Sequence, residues 1–205
     1  MPTDLRDAPM HLVRESDGVS ISLAPLQGHW TAEQYLRLTD HTRHLVEFTD
    51  GRIEVLPMPT QQHQLILGFL YRAFFAFLQP LGGIVLFAAL RLQIRPEKFR
   101  EPDLLALRRA DDPRAQNRYW LGADLVAEIV SADDPERDTV EKVADYAEAG
   151  IPEYWIVNPL DETVTVLVLE EGTYVEHGVF RRGAQATSRL LAGFSVSVDE
   201  VFAAG

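Results

Sequence analysis

A single acidic residue lies inside the most strand-like segment of the chain, residues 125–131, LVAEIVS. Aliphatic residues surround Glu128, which is typical of a strand that is buried on both faces. Strand alternation places Glu128 on the same face as Val126 and Val130. An ionised carboxylate in such a place destabilises the fold unless a cation, a hydrogen-bonding partner or water compensates for its charge. Glu128 is therefore a candidate for a functional residue in a central strand.

The segments before and after this strand predict an α/β fold. The predicted elements are a helix at 31–40 capped by Thr31, a hairpin turning at Asp50-Gly51, a helix from near Thr60 to Pro80, strands at about 83–95 and 99–107, the strand at 124–131, a helix from Asp134 to Gly150, a strand in IPEYWIVNP and a hairpin turning near Glu171-Gly172. Because strands and helices alternate only in part, we expect a mixed sheet flanked by helices, with a C-terminal hairpin.

The length of 205 residues fits one domain. We expect an irregular segment at residues 1–29 and a single domain at 30–205, with its core at about 30–160 and the hairpin and tail at 161–205. The longest apolar stretch, Leu65 to Leu78, carries Arg72 and is shorter than a bilayer requires, so it predicts a buried helix. No signal peptide is visible in the charged N-terminus, and we expect a cytoplasmic protein without a membrane partner.

The charge distribution restricts where nucleic acid can bind. The net charge of −12 argues against broad, non-specific affinity for nucleic acid. Between Arg91 and Arg118, however, eight basic residues stand against five acidic ones. This local excess of positive charge allows phosphate contact at one place, although solvated loop charges explain it equally well. The absence of cysteine excludes disulfides, thiol catalysis and cysteine metal sites.

A second acid precedes a neighbouring strand. Asp103 follows Pro102, which has no N–H to pair with a neighbouring strand, so Asp103 lies where the strand DLLAL begins. Two carboxylates on adjacent strands can bind one hard cation through oxygen and leave its other positions for water and substrate. Asp103 and Glu128 therefore predict a site for Mg²⁺ or Mn²⁺.

A lysine follows in the next helix. The chain contains two lysines, Lys98 and Lys142. Helical spacing predicts an apolar stripe of Thr139, Val143, Tyr146 and Ala147. Lys142 lies at the edge of this stripe, where a lysine can bury its stem and direct its ammonium toward the sheet. The alternative is an exposed ion pair between Lys142 and Asp138, four residues earlier.

Glu47 is a further candidate on the predicted hairpin. With Asp50-Gly51 as a two-residue turn, Glu47 faces Glu54 across the two strands. Opposed like charges destabilise a hairpin unless positive charge intervenes. A metal ion, solvent or a nearby arginine would each supply an explanation.

Several of these segments, in order, resemble a known family. REPDLLAL, LVAEIVSADD and DTVEKVADYAEAGIPEYWIVNP are similar to the PD-(D/E)XK nuclease superfamily. More narrowly they resemble the Uma-two family of bacterial proteins related to restriction endonucleases, whose pattern the earlier VEFTDGRIEVLPMPTQQHQ also matches. The resemblance covers about residues 30–160.

The resemblance implies a restriction-endonuclease-like core that cleaves phosphodiester bonds with a metal ion. Asp103 would be the Pro-Asp acid, Glu128 the second acid, Glu47 the N-terminal acid and Lys142 the basic residue. One departure is that the superfamily places its lysine two residues after the second acid, where this chain has Val130. Lys142, in the following helix, would then take its place in space.

The predicted function is therefore hydrolysis of DNA by a metal-bound water. Arg91 and Arg95 alternate with apolar residues, so their shared face would meet the phosphate backbone. Nuclease folds that cut duplexes often pair, which favours a homodimer. The leading alternative is a catalytically inactive nuclease fold that binds or regulates, and the acidic net charge favours it. A third is a structural domain in which an arginine pairs with Glu128. His63, near a helix start, is interpreted either as a capping residue or as part of the wall of the site.

Overall fold

The computed structural model describes residues 10–14 and 16–205. The helices are α1 (Ala32–Thr39), α2 (Gln61–Leu78), α3 (Lys142–Glu148) and α4 (Val198–Ala203). The strands are β1 (His11–Val13), β2 (Ser20–Ser22), β3 (Val46–Thr49), β4 (Arg52–Val55), β5 (Ile84–Phe87), β6 (Leu92–Arg95), β7 (Lys98–Arg100), β8 (Leu104–Leu107), β9 (Leu125–Ile129), β10 (Glu153–Asn158), β11 (Thr163–Glu170), β12 (Thr173–Phe180), β13 (Gln185–Thr187) and β14 (Ser195–Ser197).

The chain divides into two compact units. The smaller consists of Met1–Pro57 with Arg95–Arg100, and the larger of Met58–Ile94 with Glu101–Gly205. Part of the segment expected to be irregular, residues 1–9 and 15, lies outside the described residues. The predicted division into a segment at 1–29 and one domain at 30–205 stays a prediction.

The smaller unit is built around an aromatic cluster on an antiparallel sheet. β3 pairs with both β4 and β7. Tyr35 of α1 stacks on Phe48 of β3 with ring centroids 5.2 Å apart, and its hydroxyl donates to the Val46 carbonyl. The capping box predicted for α1 is confirmed, because Thr31 and Gln34 exchange side-chain and backbone hydrogen bonds. Burial of the aromatic rings fixes α1 on this sheet.

The hairpin turn predicted at Asp50-Gly51 is confirmed. Thr49 pairs with Arg52, and both turn residues have positive φ angles, 47° at Asp50 and 81° at Gly51. A Cβ on Gly51 would lie 2.7 Å from the backbone of Gly28, so glycine is required there for conformation and for space.

The larger unit contains a six-stranded mixed sheet in the order β12-β11-β10-β9-β8-β5. Of its neighbouring pairs, β9 and β10 run parallel and the others antiparallel. One face of the sheet packs against α2 and α4, and Phe74 of α2 meets Trp155 of β10 edge to face. The other face packs against α3 through Tyr146. The predicted mixed sheet with flanking helices and a C-terminal hairpin is confirmed.

Two predicted strands are each divided in the structure. The stretch at 83–95 forms β5 and β6, and the stretch at 99–107 forms β7 and β8. The second division falls at residues 101–103, where Pro102 has no N–H to donate to a neighbouring strand. This leaves Asp103 directly before β8.

The helix between β9 and β10 contains a π-helical turn that the sequence did not predict. The helix begins at Pro135 as expected, but residues Arg137–Glu141 form a π-helix before α3 continues. The buried residues of this helix are Asp138, Lys142, Asp145 and Tyr146. Of the predicted stripe, Tyr146 is buried, Val143 and Ala147 are half-buried with Val143 packed against the core, and Thr139 is exposed, so the prediction was wrong at Thr139. The wider turn changes which side chains face the sheet.

Among the described residues, one helical stretch, Gln61–Leu81, is long and apolar enough to cross a membrane by length and composition alone. The prediction that this region is too short was thus wrong. Its residues Ile66, Leu70 and Phe74 are buried in the core, whereas Leu65 and Phe75 are exposed, so the predicted buried helix is buried on one face. Because core helices meet the same criteria, the absence of a membrane partner stays a prediction.

A fully buried carboxylate ties the C-terminal tail to β10. Glu153 accepts hydrogen bonds from the Trp155 indole at 2.7 Å and the Ser188 hydroxyl at 2.6 Å. It also accepts from the N–H groups of Arg189 at 2.8 Å and Leu190 at 2.7 Å. Both oxygens of the carboxylate are therefore satisfied by two donors each, which offsets the cost of burying the charge.

Replacing Glu153 by alanine is expected to lower the free energy of unfolding by about 3–5 kcal/mol, because four buried donors lose their acceptor. Urea denaturation measures this loss. Glu176→Ala, an exposed acid on β12, is the control and should change stability by less than about 0.5 kcal/mol. Equal stability of the two variants would contradict the role given to Glu153.

Candidate active site

Asp103, Glu128 and Lys142 lie together in the larger unit. β8 and β9 are antiparallel with Leu104 opposite Ala127, which brings the residue before β8 beside Glu128. The N–H of Asp103 donates to Glu128 Oε2 at 3.3 Å, and the N–H of Ile129 donates to Asp103 Oδ2 at 2.8 Å. Reciprocal contacts between the two strand segments therefore hold both carboxylates in place.

Glu128 faces the α3 side of the sheet, as strand alternation predicted. Its side chain is only 2% exposed and lies beside Val126, Val130 and Tyr146. The hydroxyl of Tyr146 donates a hydrogen bond to Oε1 of Glu128. This hydroxyl is a partner that the sequence analysis missed, because Tyr146 had been interpreted as part of an apolar stripe.

Lys142 joins two acids. Its Nζ lies 2.8 Å from Glu128 Oε1 and 3.0 Å from Asp138 Oδ1, and the three side chains are each at most 6% exposed. The pair between Lys142 and Asp138 that was considered as an alternative does form, but it is buried rather than exposed. The third interpretation was that an arginine pairs with Glu128. Among the described residues, the side chain that forms an ion pair with Glu128 is Lys142, so this interpretation is not supported.

Negative charge exceeds positive charge at this site. The pKa of Glu128 is raised to about 8, chiefly by burial, which Lys142 opposes, and in addition by the nearby Asp103 and Asp138. Burial likewise raises the pKa of Asp138, again against Lys142. One ammonium group lies among three carboxyl groups, so an additional cation would favour the ionised forms of these acids.

The donor set fits a hard divalent ion. Asp103 and Glu128 offer carboxylate oxygens, and no described residue donates a hydrogen bond to Oδ1 of Asp103. No group of three or more His, Cys, Asp or Glu residues suited to a metal occurs in the part of the chain that the structure describes. The protein would thus supply part of the coordination shell and leave the rest to water and substrate, which is common for Mg²⁺.

His63 also belongs to this cluster. It is the third residue of α2, and its Nε2 lies 3.0 Å from Asp103 Oδ2. The interpretation as a capping residue was wrong, because Thr60 is the N-cap and accepts the His63 N–H, while the His63 ring lies against the acid. In the sequence, the feature that pointed to His63 as a site residue was a polar ring at the start of an otherwise apolar helix.

Glu47 belongs to the smaller unit. It is 1% exposed, faces Glu54 across the hairpin as predicted, and its Oε2 lies 3.5 Å from Nε of Arg100. A nearby arginine, one of the explanations considered for this buried acid, is present. Its role as a metal ligand stays a prediction.

The two candidate phosphate-binding arginines both contact protein groups. Arg91 donates to the Arg118 carbonyl at 3.0 Å. Arg95 makes two hydrogen bonds of 2.7 Å to the Asp50 carboxylate. Arg91 belongs to the larger unit and Arg95 to the smaller. Their contact with phosphate stays a prediction.

Comparison with known proteins identifies the family. The family described as "Uma2: Putative restriction endonuclease" matches residues 32–199. The chain belongs to the Uma2 family. No curated protein matches it. A solved structure, a "putative nuclease belonging to DUF820 from Anabaena variabilis ATCC 29413", is 20% identical with a TM-score of 0.71, over 85% of this Uma2 chain and 98% of that chain. The family and fold resemblances inferred from the sequence are confirmed.

The raised pKa of Glu128 predicts how stability depends on pH. The pKa is about 8 in the folded protein against an ordinary value of 4.5. Between these values the folded protein binds more protons than the unfolded chain, so the free energy of unfolding falls as pH rises from about 4.5 to 8. Urea denaturation in a chelator should show this decline, and Glu128→Gln should make it shallower. If wild type and Glu128→Gln show the same dependence of stability on pH, the raised pKa of Glu128 is refuted.

Proposed function

We propose that this Uma2 protein is a metal-dependent endonuclease that hydrolyses phosphodiester bonds in DNA. The observation that carries the proposal is the contact among Asp103, Glu128 and Lys142, in which two oxygen donors and a buried ammonium group converge. Residues of these types are what phosphodiester hydrolysis requires, namely ligands for a metal ion and a cation near the phosphate. Membership of a family described as restriction endonucleases supports the same substrate class.

The proposed roles follow from the contacts. Asp103 and Glu128 would hold Mg²⁺ or Mn²⁺, which when bound lowers the pKa of a water ligand and neutralises charge on the phosphate. Tyr146 orients Glu128 through its hydroxyl. Lys142, held by Glu128 and Asp138, places its ammonium group to orient the attacking water and to stabilise negative charge that develops on the phosphate oxygens.

The leading alternative is a catalytically inactive nuclease fold that serves as a binding or regulatory module. The net charge of −12 favours this function, since it weakens attraction to a polyanion. The buried excess of carboxylates favours the enzyme, because an inactive site gains nothing from retaining acids whose burial is costly. Metal binding and cleavage distinguish the two functions and are tested separately below.

Cleavage is tested by nicking of supercoiled plasmid DNA with Mg²⁺ or Mn²⁺. Asp103→Asn, Glu128→Gln and Lys142→Ala are each expected to lower the rate by at least about 100-fold, since each removes a ligand or charge that acts in the transition state. Asp111→Asn is the matched control, because this exposed acid lies in a loop and pairs with Arg109. Undiminished nicking by a folded Asp103→Asn protein would exclude the mechanism.

Metal binding is tested by stability. At 100 times its dissociation constant, Mn²⁺ is expected to raise the free energy of unfolding by about 2.7 kcal/mol, because it binds the folded state. The increase should be absent in Asp103→Asn and unchanged in Asp111→Asn. Mn²⁺ that stabilises all three proteins equally would show that it binds elsewhere, and stabilisation without nicking would favour the regulatory alternative.

The homodimer, the cytoplasmic location and the roles of Glu47, Arg91 and Arg95 stay predictions of the sequence analysis.

A further inference from the structure

His63 is held by one backbone contact and one ring contact within the larger unit. It occupies the first turn of α2, where the Thr60 side chain accepts the His63 N–H at 3.2 Å. Its Nε2 lies 3.0 Å from Oδ2 of Asp103, and the two side chains are 14% and 16% exposed. The capping bond uses the backbone alone, so it does not account for the placement of the ring.

Both contacts to the Asp103 carboxylate fall on one oxygen. Oδ2 accepts from the Ile129 N–H at 2.8 Å and faces His63 Nε2 at 3.0 Å, whereas Oδ1 accepts from no described residue. A carboxylate oxygen accepts hydrogen bonds, so the tautomer that matches this contact carries its proton on Nε2. One oxygen is thus held by two donors while the other stays open to a ligand.

We propose that His63 is a positioning residue for metal binding, whose Nε2–H fixes Oδ2 of Asp103 so that Oδ1 is presented to the divalent ion. This inference rests on the proposed function, since it assigns His63 to the same site. Without the ring, the Ile129 N–H alone would restrain the Asp103 carboxylate. The Asp103 side chain could then rotate, and metal binding would have to stop this rotation at a cost in affinity. Groups that orient a metal ligand in this way typically change metal affinity by about 10–100-fold when removed.

Other roles for the ring fit the contacts less well. As a direct metal ligand through Nε2, His63 would need a lone pair on the nitrogen that faces Asp103 Oδ2. As a general base through that nitrogen it would need the same lone pair. The remaining nitrogen, Nδ1, is buried and has no hydrogen-bond partner among the described residues. The ring therefore acts through Asp103.

The test compares side chains that keep or lose the donor. In His63→Gln the amide nitrogen extends about as far along the side chain as Nε2, whereas His63→Leu has similar bulk and no donor. Isothermal titration of the folded proteins with Mn²⁺ should show affinity about 10–100-fold weaker for His63→Leu and within about threefold of wild type for His63→Gln. The control is His41→Leu, which removes an exposed histidine and should leave affinity unchanged.

A second readout separates positioning from a merely structural role. In His63→Leu the Mn²⁺ concentration that half-saturates plasmid nicking should rise by the same factor, while the rate at saturating Mn²⁺ stays within a few-fold of wild type. If His63→Leu does not fold, His63→Asn, whose amide nitrogen is one methylene too short, replaces it.

Several outcomes would overturn the inference. Equal Mn²⁺ affinity in wild type and His63→Leu would show that the ring does not act on Asp103, and equal loss in the Gln and Leu variants would show that the imidazole shape matters rather than its N–H. If wild type and Asp103→Asn bind Mn²⁺ alike, the proposed function itself fails. Wild-type binding that depends on Asp103 but not on His63 refutes the positioning role alone.

Discussion

The larger unit is organised around a buried ion pair between the central strand β9 and the helix that follows it. Lys142 reaches Glu128 and Asp138 from a helix whose face toward the sheet is otherwise built from tyrosine and aliphatic contacts. Both partners must stay buried together, because either charge alone would be left without compensation in an apolar layer. The π-helical turn at Arg137–Glu141 lies directly before Lys142, and such turns are frequent at functional sites. The helix thus departs from regular α-helical geometry in the turn that contains Asp138 and directly precedes Lys142.

This ion pair is poorly explained by stability. Replacement of a buried ion pair by apolar residues of similar volume is often neutral or stabilising, so a fold alone gives no reason to keep it. The cost is greater here because Asp103 adds a third carboxylate to a site with one ammonium group. If a divalent cation binds as proposed, it would make this cluster of acids favourable, and the ionised acids would in turn contribute to the affinity for that cation.

The sequence could predict what depends on local spacing. Asp50-Gly51 specified its hairpin and register, Thr31 and Gln34 specified a helix cap, and alternation along β9 placed Glu128 on the α3 face. What the sequence could not predict depends on contacts distant in the chain or on irregular backbone. His63 and Asp103 are forty residues apart, Arg100 pairs with Glu47 across strands, and the π-helical turn displaced the buried face from the stripe expected at regular helical spacing.

Two buried acids on adjacent strands show how a structural carboxylate differs from a candidate catalytic one. Glu153, on β10, is surrounded by four neutral donors that saturate both oxygens and tie the tail to the sheet. Glu128, on β9, shares its surroundings with two other acids. Its Oε1 accepts from the Tyr146 hydroxyl and the charged Lys142 ammonium, and its Oε2 accepts from the Asp103 N–H at 3.3 Å. Burial is nearly equal, so burial alone does not distinguish them. The distinction is the balance of donors and charges around each acid, and that balance leaves room for a cation at Glu128 and none at Glu153.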